Sequence, residues 1–305
     1  MELLTVEKVK KVYKGKKKIL VKAVDGVSFS IEKGKCIGLV GESGCGKSTL
    51  GRLITGLEKT TEGNILWKNT SVDTIDRKNP MRKEIQMVFQ NSFEAVNPKA
   101  KAREIIAEPL RNFYHLSGEE LEKRIDELLN WVGIDWSEKE KYPRQFSGGQ
   151  LQRICIARIL ASKPELLVLD EPLSSLDVSV QAQILNLFAD LKEKLGLTYL
   201  LISHDLEAVY YLSDEIIIMY GGKIMEHIET IEDFQRLRHP YTKRLLMSSF
   251  SCRHQYEEVD EAYRELPEEN GCPYYQRCPY AKEKCKIEMP ELKECEKGHF
   301  IACWK

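Results

Sequence analysis

Nine consecutive residues, Gly41-Glu42-Ser43-Gly44-Cys45-Gly46-Lys47-Ser48-Thr49, have the types and spacing to hold a chain of phosphates. They fit the pattern G-x-x-x-x-G-K-[ST]. Glycines let the backbone fold tightly enough for successive N–H groups to face one anion. A helix starting at Lys47 adds the partial positive charge of its N-terminus. Lys47 is then placed to reach the β- and γ-phosphates and Ser48 to hold Mg²⁺. A glycine-rich turn with no ligand could carry the same letters, so context matters. Residues 35–40 (KCIGLV) in front read as a short buried strand, and residues 47–57 behind read as a helix.

Two further groups extend this chemistry. Leu166-Leu167-Val168-Leu169-Asp170-Glu171 is an apolar strand ending in two carboxylates. Asp170 is placed to bind Mg²⁺ directly or through water. Glu171 is placed beside a γ-phosphate, where it can polarise an attacking water. A base of that kind is worth about 10²–10⁴ in rate. An ordinary strand-end acidic pair looks the same in isolation; the phosphate loop upstream favours the chemical reading. Ser147-Gly148-Gly149-Gln150 precedes an amphipathic stretch, LQRICIARILA. Ser147 reads as an N-cap, and two glycines at a helix start also bare N–H groups to an anion.

The elements that must position these groups follow from periodicity. Residues 3–12 and 22–31 alternate as half-buried strands, and 64–67 and 85–89 read as further strands. From residue 102 to 161 the period becomes helical: Ile105, Ile106 and Leu110 make one face, and Leu121, Ile125, Leu128, Leu129 and Val132 another. Residues 166–169, 199–202 and 216–220 are short, wholly apolar runs, as parallel strands covered on both faces require. Helical stretches at 178–194 and 206–212 separate them, and 239–248 reads as a short helix. The fold class is α/β: a P-loop core with an antiparallel β subdomain and an inserted helical subdomain at about 100–162. These make up a domain at 1–248, followed by an acidic linker at 249–271 and a small cysteine-rich module at 272–305.

Composition bounds the partners. The chain has 305 residues and a net charge of -1, so no bulk pull towards nucleic acid is expected. Lysines cluster between Lys8 and Lys22, which reads as a solvated strand pair and turn, with a lipid or polyanion patch as the alternative. No run approaches the ~18–20 apolar residues of a spanning helix. The start, MELLTVEKVKKV, lacks a signal-peptide core, so the expectation is a cytosolic protein that reaches a membrane only through a partner. Nine cysteines in such a chain suggest thiols or metal ligands. Cys36, Cys45, Cys155 and Cys252 read as small fillers, whereas Cys272, Cys278, Cys285, Cys295 and Cys303 crowd the C-terminal segment. Five residues separate Cys272 from Cys278 and six separate Cys278 from Cys285. Zinc ribbons use tighter knuckles, so four thiolates on longer loops better suit a larger cluster. Zinc and plain thiols stay open as alternatives.

Phe146 to Gln150, together with the phosphate loop, resembles the signature of ATP-binding cassette (ABC) proteins. In that family the signature binds the γ-phosphate held by the other subunit. The resemblance implies further roles in chain order. Gln90, after IQMVF, matches the Q-loop glutamine that touches Mg²⁺ and the attacking water. Ser175-Leu176-Asp177 matches the D-loop that crosses the dimer interface. His204, after YLLIS, matches the switch histidine that contacts the γ-phosphate, and Tyr13 is the candidate for stacking on adenine. The likeness covers residues 1 to about 230. KAVDGVSFSI (22–31), DVSVQAQILNL (177–187), LTYLLISHDL (197–206) and HPYTKRLL (239–246) are similar to the ATPase subunits of oligopeptide, dipeptide and nickel importers, most of all the second, F-type subunit. In the tail, Gly271-Cys272-Pro273, Arg277-Cys278-Pro279, Cys285 and Ala302-Cys303-Trp304 resemble that family's four-cysteine motif, associated with a [4Fe–4S] cluster; Cys295 is surplus. After Gln90, the segment NSFEAVNP keeps the family's Asn97-Pro98 but departs elsewhere, and Phe146 replaces the more usual leucine.

The resemblance implies ATP and Mg²⁺ as ligands and a second ATPase subunit as mate. It also implies two transmembrane permease subunits, an extracytoplasmic substrate-binding protein reached indirectly, and a place on the cytoplasmic face of the cell membrane. A soluble ABC ATPase of DNA repair or translation is the alternative from another class. Long coiled coils or tandem cassettes, common there, are not evident. Nickel or sugar is an alternative cargo to peptide. The cysteine module is expected to act as a structural clasp, with redox sensing as the other possibility.

Overall fold

The computed structural model describes residues 2–14, 20–75, 79–91, 93–174, 176–249 and 267–305. Two compact units emerge: Met1–Asp73 with Leu201–Lys305, and Thr74–Leu200. The first opens with β1 (Glu2–Lys14) and β2 (Leu20–Glu32), paired antiparallel with Thr5 opposite Ser30 and Val6 opposite Phe29. Their alternating burial is the half-solvated pattern expected from the sequence. β3 (Cys36–Val40) is buried at every residue and leads through the glycine loop into α1 (Lys47–Ile54). β4 (Glu62–Trp67) and β5 (Thr70–Ser71) complete an antiparallel sheet in the order β2-β1-β4-β5.

The second unit carries β6 (Ile85–Val88), α2 (Ala102–Tyr114), α3 (Gly118–Trp131), α4 (Gly148–Leu160), β7 (Leu166–Asp170) and α5 (Val178–Leu195). β6 and β7 pair parallel, Ile85 opposite Leu166 through Val88 opposite Leu169. The three helices between them form the expected helical block. Ile105, Ile106 and Leu110 of α2 and Leu121, Ile125, Leu128 and Leu129 of α3 are the buried faces that periodicity demanded. β8 (Thr198–Ser203) starts in this unit and ends in the first.

The chain then returns to the first unit through α6 (Leu206–Leu212), β9 (Glu215–Tyr220), β10 (Lys223–Ile228), α7 (Pro240–Ser249), α8 (Glu283–Ile287), β11 (Lys293–Glu296) and β12 (His299–Ile301). Strand order here is β11-β12-β10-β9-β3. β9 runs parallel to β3 and the remaining pairs are antiparallel. α6 lies close on β3 because Gly38 has no side chain; a Cβ there would sit 2.3 Å from Val209 Cγ1. Among the described residues no helix is long and apolar enough to cross a membrane.

β10 to β12 were absent from the sequence reading. The reason lies in β10, KIMEHI, where Glu226 interrupts the apolar pattern yet is wholly buried. Its carboxylate accepts hydrogen bonds from the backbone N–H groups of Arg238 (2.7 Å) and His239 (3.1 Å), and His299 Nε2 lies 2.8 Å away. Burial alone would raise this carboxyl; His299, Thr242 and the two N–H groups outweigh it and hold the group below its ordinary value. Glu226 thereby ties the loop before α7 and strand β12 to one point. The cysteine-bearing segment is hydrogen-bonded into the sheet, with Glu226 opposite Ile301 and Ile228 opposite His299.

Glu226→Ala should lower the unfolding free energy by about 3–5 kcal/mol, because it orphans several buried donors at once. A carboxylate with a depressed folded pKa stabilises above the unfolded value of 4.5 and stops doing so as pH falls through the folded one. Denaturant titrations of the two proteins should therefore diverge at neutral pH and converge in acid.

Candidate functional site

In the first unit the glycine loop is pressed against two carbonyl groups. A Cβ at Gly41 would lie 2.2 Å from the Met219 oxygen, and one at Gly46 would lie 2.0 Å from the Ala23 oxygen. Gly46 also has φ +109°, a backbone that side-chain-bearing residues avoid. It opens α1 with no side-chain cap and no acidic residue in the first turn. Such a helix start attracts anions. Lys47 is buried and curls back over the loop, its Nζ donating to the carbonyls of Gly41 (2.6 Å) and Glu42 (3.0 Å) and lying 3.8 Å from Cys45 Sγ. Burial pushes the Cys45 thiol up despite Lys47, so it stays neutral. Ser43, Gly44, Ser48 and Thr49 fall in the same loop and first helical turn as read.

Tyr13 lies on β1 with its hydroxyl bonded to Glu58 at 2.5 Å. Lys11 Nζ sits 5.1 Å from the centre of its ring. Thr49, at the end of the glycine loop, lies near enough to act on the Tyr13 hydroxyl. His204 follows β8 and is exposed. The next residue, Asp205, caps α6 by accepting from the N–H groups of Glu207 (2.9 Å) and Ala208 (3.2 Å).

In the second unit β7 ends at the buried Asp170. Glu171 then takes φ +47°, a left-handed conformation that costs a non-glycine residue about 1–3 kcal/mol. Strain of that kind persists where the surroundings impose a particular side-chain direction. Gln90 reaches the same point, its Nε2 donating to Glu171 Oε2 at 3.4 Å. Ser147 and Gln150 form a reciprocal cap on α4: Ser147 Oγ accepts from the Gln150 N–H (3.2 Å), and Gln150 Oε1 accepts from the Ser147 N–H (3.0 Å). Ser147 and Gly148 are exposed, while Gly149 is buried where a Cβ would meet Val180 Cγ1 at 2.4 Å. This close contact seats the helix start on α5, next to Leu176 and the exposed Asp177 and Val178. Ser175 lies outside the described residues.

The tail partly departs from expectation. Cys272, Cys278, Cys285 and Cys303 do come together as walls of one cavity of about 20 Å³, with His239 and Trp304 beside them. Cys295 is excluded; it is exposed, with Sγ 3.2 Å from the His299 carbonyl oxygen. Among the described residues, however, no three His, Cys, Asp or Glu side chains are grouped so as to hold a metal ion. The expected iron–sulfur cluster, and its zinc alternative, therefore gain no support from the arrangement. As described, the cavity has room for about one water molecule, and burial pushes the Cys272 thiol up to about 12 and raises Cys303 as well. Cys36, Cys45 and Cys155 are buried fillers as read, and Cys252 lies outside the described residues.

Two residues near the loop had no sequence signal of their own. The Glu42 N–H donates to the Tyr241 hydroxyl (2.8 Å), and the Glu42 carboxylate accepts from Arg277 Nη1 at 3.0 and 3.2 Å. In the sequence Tyr241 stood out only within HPYTKRLL and Arg277 only within Arg277-Cys278-Pro279, with no link to the loop.

Comparison with known proteins places this geometry. Residues 24–174 match the ABC transporter family and residues 225–285 match the oligopeptide/dipeptide transporter C-terminal region. The chain is 46% identical over 293 residues to the oligopeptide transport ATP-binding protein AppF of Bacillus subtilis, covering 93% of this chain and 89% of that one. It is 42% identical over 314 residues to the dipeptide transport ATP-binding protein DppF of Haemophilus influenzae, covering 99% and 96%. Among solved structures, a dimeric post-hydrolysis state of the ATP-binding cassette MJ0796 with ADP and phosphate superposes with a TM-score of 0.68 at 31% identity, covering 75% of this chain and 98% of that one. The cbiO1 subunit of an ABC transporter complex from Clostridium perfringens gives 0.67 at 28% identity, covering 81% and 95%. The fold is thus the P-loop fold of ABC cassettes, mixed sheets with helices. The chain belongs to the ABC transporter family, among the ATP-binding proteins of oligopeptide and dipeptide transport.

Proposed function

We propose that the chain hydrolyses ATP as the energising subunit of a binding-protein-dependent peptide importer, working on the cytoplasmic face of the membrane through two permease subunits. The observation that carries this reading is the solvent-facing start of α4, where Ser147 and Gly148 are exposed and the first turn has no acidic residue. An anion-ready helix start turned outward suits the nucleotide of a second ATPase subunit, identical or homologous. Two ATP molecules are then sandwiched between two chains, each gripped by one and lidded by the other.

Each residue has a task in that sandwich. Tyr13 stacks on adenine. The N–H groups of the loop Gly41 to Thr49, other than those of Glu42 and Cys45, which donate to Tyr241 and to the Glu42 carbonyl, cradle the phosphates, and Lys47 exchanges the Gly41 and Glu42 carbonyls for phosphate oxygens. Ser48, Gln90 and Asp170 suit Mg²⁺, being oxygen donors with one buried carboxylate among them. Bound there, the ion would neutralise charge on the β- and γ-phosphates. Glu171 takes the proton of the attacking water, Gln90 orients that water from its 3.4 Å contact with Glu171, and His204 holds the γ-phosphate. Ser147, Gly148, Gly149 and Gln150 close the partner's site, while Ser175, Leu176 and Asp177 cross the interface. Val178, 81% exposed, is an apolar side chain that closure would cover. Closure is driven by the greater affinity of the closed state for ATP.

The permease is best received at a 300 Å³ cavity of the second unit, walled by Phe89, Glu108, Phe113 and Arg158 and next in sequence to Gln90. Peptide as cargo rests on the relatives, which are ATP-binding proteins of oligopeptide and dipeptide transport. For the tail, an iron–sulfur cluster would be held by Cys272, Cys278, Cys285 and Cys303, which supply the donor chemistry and share one cavity wall, but only once those loops part, since the cavity as described has room for about one water molecule. When bound, it would supply a clasp between the loops of that module.

Glu171→Gln should keep ATP binding, cut turnover by about 10²–10⁴ and trap an ATP-bound dimer on gel filtration; wild-type turnover would remove Glu171 as base. Ser147→Arg should silence the partner's site in a mixed dimer while its own ATP affinity survives, and loss of its own binding would mean the signature acts in cis. Anaerobic purification should yield a brown protein with iron and acid-labile sulfide, lost on Cys278→Ser; a colourless, iron-free product would dispose of the cluster.

A further inference from the structure

Glu42 sits in a loop that must receive a polyanion, and its carboxylate is a like charge at the wrong place. The structure answers that conflict from a distant part of the chain. Arg277 Nη1 lies 3.0 and 3.2 Å from the two Glu42 oxygens, and the Tyr241 hydroxyl accepts the Glu42 N–H at 2.8 Å. Arg277 is fixed in turn. Its N–H donates to the Tyr274 carbonyl (3.1 Å). The Tyr274 ring packs on Tyr220 (5.3 Å between centres) and Tyr241 (5.4 Å). Burial alone would lower the Arg277 guanidinium, but hydrogen bonding to Tyr220 and the Glu42 charge raise it instead, so it is a permanent cation. Pro273 presses on the turn after β9: a Cβ at Gly221 would lie 2.7 Å from the proline Cβ.

The consequence for the loop is specific. Glu42 supplies one of the two carbonyls on which Lys47 rests. Holding its N–H and its carboxylate therefore fixes the loop at this residue and sets a cation against its negative charge. The pair is part-exposed, 32% for Arg277 and 43% for Glu42, so its effect is modest in size.

We propose that Arg277 is a positioning residue for nucleotide: by pairing with Glu42 it lets the C-terminal segment set how well the phosphate loop accepts a triphosphate. This rests on the reading of residues 41–49 as the triphosphate site. It assigns the residues around Cys278 a role in the nucleotide site beyond any clasp.

The test is equilibrium binding of MgATP to the full chain, for wild type, Arg277→Ala, Arg277→Lys, Glu42→Gln and the Arg277→Ala/Glu42→Gln double variant. Arg277→Ala should bind about fivefold more weakly, with the loss shrinking at high salt as the repulsion is screened. Arg277→Lys should recover most of the affinity. The double variant should return to within about twofold of wild type, because removing the Glu42 charge removes the conflict. Should Arg277→Ala bind like wild type, or the double variant stay as weak as Arg277→Ala, the proposal is overturned; the second result would mean that Arg277 serves only the fold. If Arg277→Ala does not fold, Glu42→Gln alone decides: binding at least as tight as wild type supports the charge conflict, and weaker binding refutes it. A wild-type chain that binds no MgATP would remove the site reading itself, and the proposal with it.

Discussion

The structure depends on the absence of two Cβ atoms. The Met219 and Ala23 carbonyl oxygens stand so close to Gly41 and Gly46 that any side chain would collide with backbone. Backbone cannot yield as a flexible side chain can, so the loop's curvature is set by the strands on either side of it. β3 brings the chain in, β9 supplies Met219 and β2 supplies Ala23. The loop is clamped at its far side too, where the Gly222 N–H donates to the Cys45 carbonyl at 3.0 Å. A cradle held this way is preorganised: its N–H groups need not be gathered when the anion arrives.

Charge is managed at each working position. Lys47 is buried against carbonyls, which tolerate an ammonium until phosphates replace them. Glu171 follows a strained backbone and is met by Gln90, a neutral donor. Glu226, the most deeply buried carboxylate described, is paired with three groups from two places in the chain, and by that means the last strand is built into the sheet. The same logic governs Glu42 and Arg277, a more exposed pair in the glycine loop. One device, a carboxylate held by groups remote in sequence, thus recurs at different depths.

Sequence legibility followed the distance over which each signal acts. The glycine loop, the apolar strands β3, β7, β8 and β9, and the periodic helices α2 and α3 were readable because each is specified by neighbours within a turn or two. β10 was not, since its central Glu226 reads as solvent-facing until His299, more than seventy positions later, is seen beside it. β11 and β12 are too short and too polar to announce themselves. The four cysteines grouped from the sequence line one cavity and Cys295 lies outside it, yet their spacing could not reveal that the space among them is small in this arrangement.

The order of glycines, carboxylates and caps along the chain by itself determined the P-loop class and, by resemblance, the ABC family, and it pointed to residues 41–49 as a phosphate loop, because these are local patterns with particular residue types at fixed intervals. Tertiary structure alone decided that Gln90 meets Glu171, that Gly149 seats the signature on Val180, and that Arg277 and Tyr241 reach back to Glu42. Those contacts join residues from 31 to 235 positions apart. No local propensity encodes such pairs; they exist only where packing of the whole brings the two backbones within hydrogen-bond or van der Waals reach.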